Sequence, residues 1–329
     1  NNEKAGFIGN STNYNTFFGH LSGFSATTGD GNTGIGKNAL GGNATGTGNT
    51  AIGNGAAISN AVGNSNVAVG ESALLNNQST GRNVAVGASA LQSFSFNNGG
   101  VAYNTHNVAI GRASLATLNG TSNANAQDNV AVGAVSGVNA STNVGCTYIG
   151  TSTSDAAPGY VNGTVLGYNC TLDASNRVRL GGSGVTSVGG PVAYTNFSDQ
   201  RFKFNTSENL MGVEFVKRLR PILYQFDYKK LDDFYNRPDS LRKNIDYNNA
   251  NNLKQVGFNA QEIESLCKEL GFDFGAVDKP QDTSKGIYGI RYSNFIPVLV
   301  KAIQEQQIQL EEDRKLIILL QQEIEKIKK

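Results

Sequence analysis

The sequence predicts a mainly β shaft of 17-residue repeats, followed by a small α/β domain that ends in a coiled coil. Three observations lead there. A pentapeptide recurs through the first half of the chain, the composition breaks near residue 197, and the last thirty residues carry a heptad pattern.

The repeat is Asn-(Val/Thr)-(Ala/Gly)-(Val/Ile)-Gly. It is found as Asn32–Gly36, Asn49–Gly53, Asn66–Gly70, Asn83–Gly87, Asn107–Gly111 and Asn129–Gly133. Its closing glycines step by 17 from Gly36 to Gly87, then by 24 and 22, then by 17 twice to Gly150 and Gly167. Weaker copies end at Gly9, Gly19 and Gly181. A fixed period of this kind marks stacked supersecondary units. Neighbouring residues of a strand point to opposite faces. One face therefore carries the aliphatic before each glycine (Ile35, Ile52, Val69, Val86, Ile110, Val132), and the other is nearly bare (Gly34, Ala51, Ala68, Ala85, Ala109, Ala131). The bare face is expected to meet another backbone, and burial between chains is expected to make up for a coil too poor in large apolar groups. The pairs Ala39-Leu40, Ala73-Leu74, Ala90-Leu91 and Ser114-Leu115 read as a second short strand. Gly- and Asn-rich stretches such as 76–82 read as turns. A disordered linker would not need aliphatics held in phase.

The break in composition separates the shaft from the C-terminal third. Of 40 Gly, 34 precede Ser198, whereas 41 of the 53 charged residues lie from Ser198 onward, so a shared core is not expected. Beyond the break, Thr206 or Ser207 is expected to cap a helix carrying Leu210, Val213, Val216 and Leu219, ended by Pro221. Ile222–Tyr228 and Gln255–Phe258 read as strands, residues 229–252 as a polar loop, and Ala260–Leu270 as a helix closed by Gly271. From Pro297 to Lys329 one long helix is expected. Ile303, Leu310, Ile317 and Ile324 recur every seven residues, with Leu299, Gln306, Asp313, Leu320 and Ile327 at the complementary position. That is coiled-coil spacing, in which a polar residue in the seam sets register or oligomer state.

Composition excludes several functions. A net charge of +1 and scattered bases offer no stripe for nucleic acid. Cys146, Cys170 and Cys267 match no metal spacing, and two histidines are too few for a His-based site. No cofactor motif is found, Gly181-Gly-Ser-Gly184 lacking a phosphate-cradle Lys. No apolar stretch approaches a membrane span. Asp128, Asp155 and Asp173 are isolated, which disfavours a glycan-cleaving carboxylate pair. A start at Asn-Asn-Glu-Lys suggests a fragment or processed product, with attachment functions expected in a preceding part.

The repeats resemble those in the heads of trimeric autotransporter adhesins and in phage tail fibres, where three chains build a β-roll or prism. The likeness covers residues 5–181. The adhesin repeats are usually shorter, and the end Glu-Lys-Ile-Lys-Lys disfavours their membrane anchor. Three later blocks resemble the intramolecular chaperone domain first described at the end of phage endosialidases: Ser198-Asp-Gln-Arg-Phe-Lys203, Gly257-Phe-Asn-Ala-Gln-Glu262 and Tyr292–Ile303. Phe202 stands where the family has Leu, and Asn259 where it has an apolar residue. The resemblance implies a homotrimer whose terminal domain assembles the fibre and then severs itself before Ser198. Ser198 would be the nucleophile, Lys203 its base and Phe197–Ser198 the scissile bond. A serine hydroxyl needs a base beside it, and a Lys amine becomes one only when desolvated. Five residues apart, the two need a turn to meet.

The expected organisation is a shaft or head over residues 1–190, a junction at 191–197, a chaperone domain at 198–298 and a coiled-coil helix at 299–329. The expected function is attachment by a virion tail fibre or similar appendage. Its partners would be itself as a homotrimer, a host surface receptor of glycan type, and other appendage proteins through a preceding part. The inserted loops at the 24- and 22-residue steps, with Phe94, Phe96 and Tyr103, are the expected receptor contacts; a local cap folded back on the shaft is the other reading. Two alternatives stand beside attachment: a purely structural trimer that neither binds nor cleaves itself, and a bacterial surface adhesin.

Overall fold

The computed structural model describes residues 6–8, 13–26, 28–243 and 245–328. The weak repeat ending at Gly9 lies outside them. The described chain divides into two compact units, Asn1–Val188 with Asp227–Asn251 and Ser284–Gly286, and Gly189–Phe226 with Asn252–Thr283 and Ile287–Lys329.

The first unit is a parallel β-solenoid. Ten three-residue strands, from Thr16–Phe18 to Val178–Leu180, stack in one sheet, and Gly6–Ile8 joins its first edge antiparallel. The register follows the repeat, pairing Thr33 with Thr50, Thr50 with Val67 and Val67 with Val84. It crosses both long steps unbroken, pairing Val84 with Val108 and Val108 with Val130. The extra residues there leave the sheet as loops.

The bare face turns inward. Ala51, Ala68, Ala85, Ala109 and Ala131 are fully buried inside the chain's own coil, while Ile52, Ile110 and Val132 point out and keep about two-fifths of their surface exposed. The expectation that the Ala face meets another chain is therefore corrected. Most rungs give this inward position to Gly or Ala, and three give it to Phe17, Tyr148 and Val165. The second strand expected at Ala39-Leu40 and its counterparts is also corrected. These residues are turns, in which Leu40, Leu74, Leu91 and Leu115 adopt φ of 47 to 52° and bury their side chains completely. The turns still stack, Leu74 N–H donating to Ala90 O at 2.9 Å and Leu115 N–H to Ser136 O at 2.8 Å.

The first residue of each repeat is buried in the interior as well, beside a second buried row, Asn43, Asn60 and Asn77. Asn32, Asn49, Asn66, Asn83, Asn107 and Asn129 are buried in a ladder in which each Oδ1 accepts the backbone N–H of the next rung, at 2.9 to 3.1 Å. Their amides donate to carbonyls, as Asn49 does to Gly63 O at 2.8 Å. The last acceptor, Asn129 Oδ1, meets Cys146 N–H. Cys146 then takes Asn's place, its Sγ accepting Gly163 N–H at 3.4 Å. A polar core is stable only when its donors and acceptors are paired, and the repeat pairs them once per turn.

At the far end, residues 227–251 pack on the last rungs. Sequence alone reads them as a loop; they instead form short helices, Tyr228–Phe234, Asp239–Arg242 and Tyr247–Asn251. Asp227 caps the first of them, accepting from Lys230 N–H at 3.0 Å.

In the second unit, Ile222–Gln225 pairs antiparallel with Lys254–Gly257. Phe215, Ile263, Leu266, Phe295 and Val298 form its core, with Phe215 edge-on to Phe272 and Phe274 at 5.4 and 5.2 Å. Helix Ala260–Leu270 ends at Gly271, φ 61°. The first helix is shorter than expected, Val213–Arg218, because Glu305 rather than Thr206 or Ser207 satisfies its first N–H, Val213 N at 2.8 Å. The terminal helix runs Phe295–Ile327. Phe295, Val298 and Ala302 face the unit's core, whereas Leu299, Ile303, Leu310, Ile317, Leu320 and Ile324 lie exposed.

Candidate processing site and loops

Ser198 and Lys203 are brought together. Asp199 caps a single 3-10 turn, Gln200–Phe202, by accepting Arg201 N–H at 2.9 Å. The turn reverses the chain, so that Lys203 Nζ donates to Ser198 Oγ at 2.8 Å. Arg201 closes back on Asp199, holding its carboxyl below the usual carboxylate range. Residues 184–209 are exposed throughout, and the Phe197 side chain is fully open to solvent. The arrangement supplies a hydroxyl beside an amine and an accessible peptide bond. It does not supply the dry surroundings that turn such an amine into a base.

The expected receptor residues separate. Phe94 is corrected: it is fully buried in the solenoid core and cannot meet a ligand. Phe94 lies seven residues after Gly87, the regular coil position that Asn43, Asn60 and Asn77 fill after their own glycines. Its N–H makes the same turn bond, to Leu91 O at 3.3 Å, and the extra residues of the long step come after it. Phe96 and Tyr103 are half-buried and pack edge to face, centroids 5.7 Å apart. Tyr103–Asn104 pairs with Thr80–Gly81, and burial pushes the Tyr103 phenol up to about 12. Exposed in these loops are residues 99–102 and 121–124, with His106 Nδ1 3.3 Å from Asp128 close by.

Two polar clusters give no signal in the sequence, because their members are scattered and match no motif. In the first, Tyr148 occupies an inward position that other rungs give to Ala. Its Oη donates to the buried Asp155 carboxylate at 2.9 and 3.0 Å, and Asn143 Nδ2 reaches the same carboxylate at 2.7 Å. Burial pushes the Asp155 carboxyl up to about 8. A folded value above the unfolded one means that the stabilising form is the protonated one. Its contribution is complete below about pH 4, falls between about 4 and 8, and is gone above that. The melting temperature of the wild type should therefore drop between pH 5 and 8.5, by up to about 1.4 kcal/mol of stability per pH unit. In Asp155→Asn, thermal melts should lose most of that slope. An unchanged slope would remove Asp155 as its cause.

The second cluster joins the insertion to the last rungs. Asp232 is fully buried, and Arg237 Nη1 lies 2.8 Å from its Oδ1, off the line of a hydrogen bond. Arg237 also donates to Ser183 Oγ at 2.9 Å and Thr171 Oγ1 at 3.0 Å, while Ser183 Oγ donates to Asp232 Oδ2 at 2.9 Å. Nearby, Asp173 is held by Arg177 and Arg179 at 3.2 and 2.9 Å.

Among the described residues no group of three or more His, Cys, Asp or Glu is placed to hold a metal ion, and no helix is long and apolar enough to cross a membrane. No family model matches the chain, and no curated protein or solved structure matches it.

Proposed function

We propose that the chain is a homotrimeric fibre protein of tail-fibre or adhesin type, used for attachment and assembled by its C-terminal domain, which then cuts the chain before Ser198. The observation that carries the trimer is the outer face of the solenoid sheet. Ile35, Ile52, Ile110, Val132, Ile149, Leu166 and Leu180 form one aliphatic row along it, each 38 to 46 % exposed. A continuous apolar stripe of this length is uncommon on a monomer and marks an interface. The exposed heptad seam of the terminal helix asks for partners in the same way. Three copies satisfy both, the seams closing into one coiled coil and the sheets meeting along their aliphatic rows.

Light scattering of the full chain should give about three times 34.7 kDa. Because the row points outward, Ile110→Glu with Ile149→Glu should dissociate the trimer or weaken it strongly, while far-UV circular dichroism keeps the solenoid signal. A folded monomer of wild type at micromolar concentration would overturn the assembly.

Attachment would fall to the exposed loop tips at 99–102 and 121–124, whose backbone and Asn, Ser and Thr groups suit a glycan. Insertions in stacked repeats commonly form the binding face. Shortening both loops to the 17-residue step should abolish binding to host cells. Unchanged binding would leave the purely structural fibre as the better reading.

A further inference from the structure

A solenoid that stops leaves its last coil with open backbone groups and an uncovered interior, so repeat proteins need a terminal cap. Here the last rung of the described residues is Thr164–Leu166 paired with Val178–Leu180. Thr171, Asp173 and Ser183 beside it are nonetheless 7, 4 and 3 % exposed. The insertion 227–251 supplies part of their cover, through the Asp232–Arg237 pair on Ser183 and Thr171 and through Leu241 O, which accepts from Tyr168 Oη at 3.4 Å. From within the insertion, Tyr247 Oη donates to the Asp232 carboxylate and Arg242 Nη2 to the Asp232 backbone carbonyl, so the residue is presented to the shaft by its own scaffold.

The order of these residues along the chain matters. Ser183 and Thr171 precede the Phe197–Ser198 bond, and the whole insertion lies after it. We infer that the insertion is a built-in end cap that holds the C-terminal part on the shaft when the chain is cut between residues 197 and 198, so that the cut yields a noncovalent complex instead of releasing a fragment. Two observations support retention. No residue of the stretch 184–209 is buried and Phe197 is fully open to solvent, so a cut there disrupts no buried packing. Pulling the insertion away would strip Ser183 and Thr171 of their charged partners and open the last coil to water. Asp232 and Arg237 would leave together, and what they abandon on the shaft are buried hydroxyls, costly to leave without a hydrogen-bond partner.

The inference does not rest on self-cleavage, because an added protease can make the cut. In full-length protein carrying Ser198→Ala, a specific protease site replaces residues 190–196 and is cut after folding. The shaft fragment and the fragment that carries residues 198–329 should then leave a native sizing column together. Two separate peaks would overturn the inference and leave the reading of Ser198 untouched. The same cut in Arg237→Ala should give separate peaks. If that variant does not fold before cutting, as judged by circular dichroism, Thr171→Val with Ser183→Ala takes its place, removing the shaft's side of the contact. Co-elution persisting in the folded variant would show that something other than this cap holds the pieces, and would equally overturn the inference.

Discussion

Replacing Gly70 by Ala should come close to unfolding the solenoid, while the same change at Gly145 should cost little. Gly70 closes its repeat at φ 131°, a backbone region that side-chain-bearing residues avoid. A Cβ placed there would lie 2.6 Å from the carbonyl carbon of Gly87 and 2.9 Å from Ala88 N. Those are backbone atoms of the next rung, and Gly87 is itself stacked on Gly111, so neither rung has slack to yield. Strain of about 1–3 kcal/mol from the dihedral adds to about 1–3 kcal/mol from overpacking. The sum is a large fraction of a domain's usual stability of about 5–15 kcal/mol. Gly145 also has positive φ, 62°, but nothing lies within 4 Å of its would-be Cβ. Ala there should cost only the left-handed penalty, about 1–2 kcal/mol. Urea melts followed by circular dichroism compare the two. Equal losses would mean that the closing glycines serve conformation alone and not the contact between rungs.

That contact explains how much of the fold is legible in the sequence. Glycines at a constant step mark where successive backbones touch, so the strand register can be read from their numbers, even across the two long steps. Which face turns inward cannot. Alternation says only that Ala51 and Ile52 oppose each other, and a bare face suits a narrow interior as well as a neighbouring chain. The deciding residue is the Asn that opens each repeat. Asn is ordinarily a turn residue, and its role as a buried ladder is visible only when the rungs are stacked. The same holds for Phe94, which falls 17 residues after Asn77 at a position whose burial shows only when the coils are stacked. Asp232 and Arg237 give no signal at all, because their partners lie about fifty residues or more earlier in the chain. The pairing of Ser198 with Lys203 depends on a turn, and Asp199 as its cap is a local feature of the motif itself.

If Ser198 and Lys203 act together, purified wild type should resolve by intact mass into residues 1–197 and 198–329. The Ser198 hydroxyl would attack the Phe197 carbonyl carbon, Lys203 taking the hydroxyl proton and returning it to the departing amide nitrogen. Water would then hydrolyse the resulting ester. The hydrogen bond between the two side chains is already 2.8 Å. What is missing is exclusion of water, and trimer packing is the source we propose for it: Phe197, Phe202 and Phe204 are 80 % exposed or more in the single chain and are the apolar material for such a cover. Three consequences separate this mechanism from background hydrolysis. Ser198→Ala should remain full-length. Lys203→Ala should slow cleavage by roughly 100-fold or more, the usual worth of a positioned base. Deleting 310–329 should reduce trimer and cleavage together, although both reacting side chains are retained. Neither point variant should change stability by more than about 0.5 kcal/mol, since both side chains are exposed, so loss of cleavage with an unchanged melt would place the effect in the chemistry. Phe202→Leu tests the surroundings, because a smaller side chain beside Lys203 should speed cleavage if the ring crowds the site. Fragments persisting at the wild-type rate in Ser198→Ala would remove Ser198 from the reaction and leave the terminal domain as an assembling device alone.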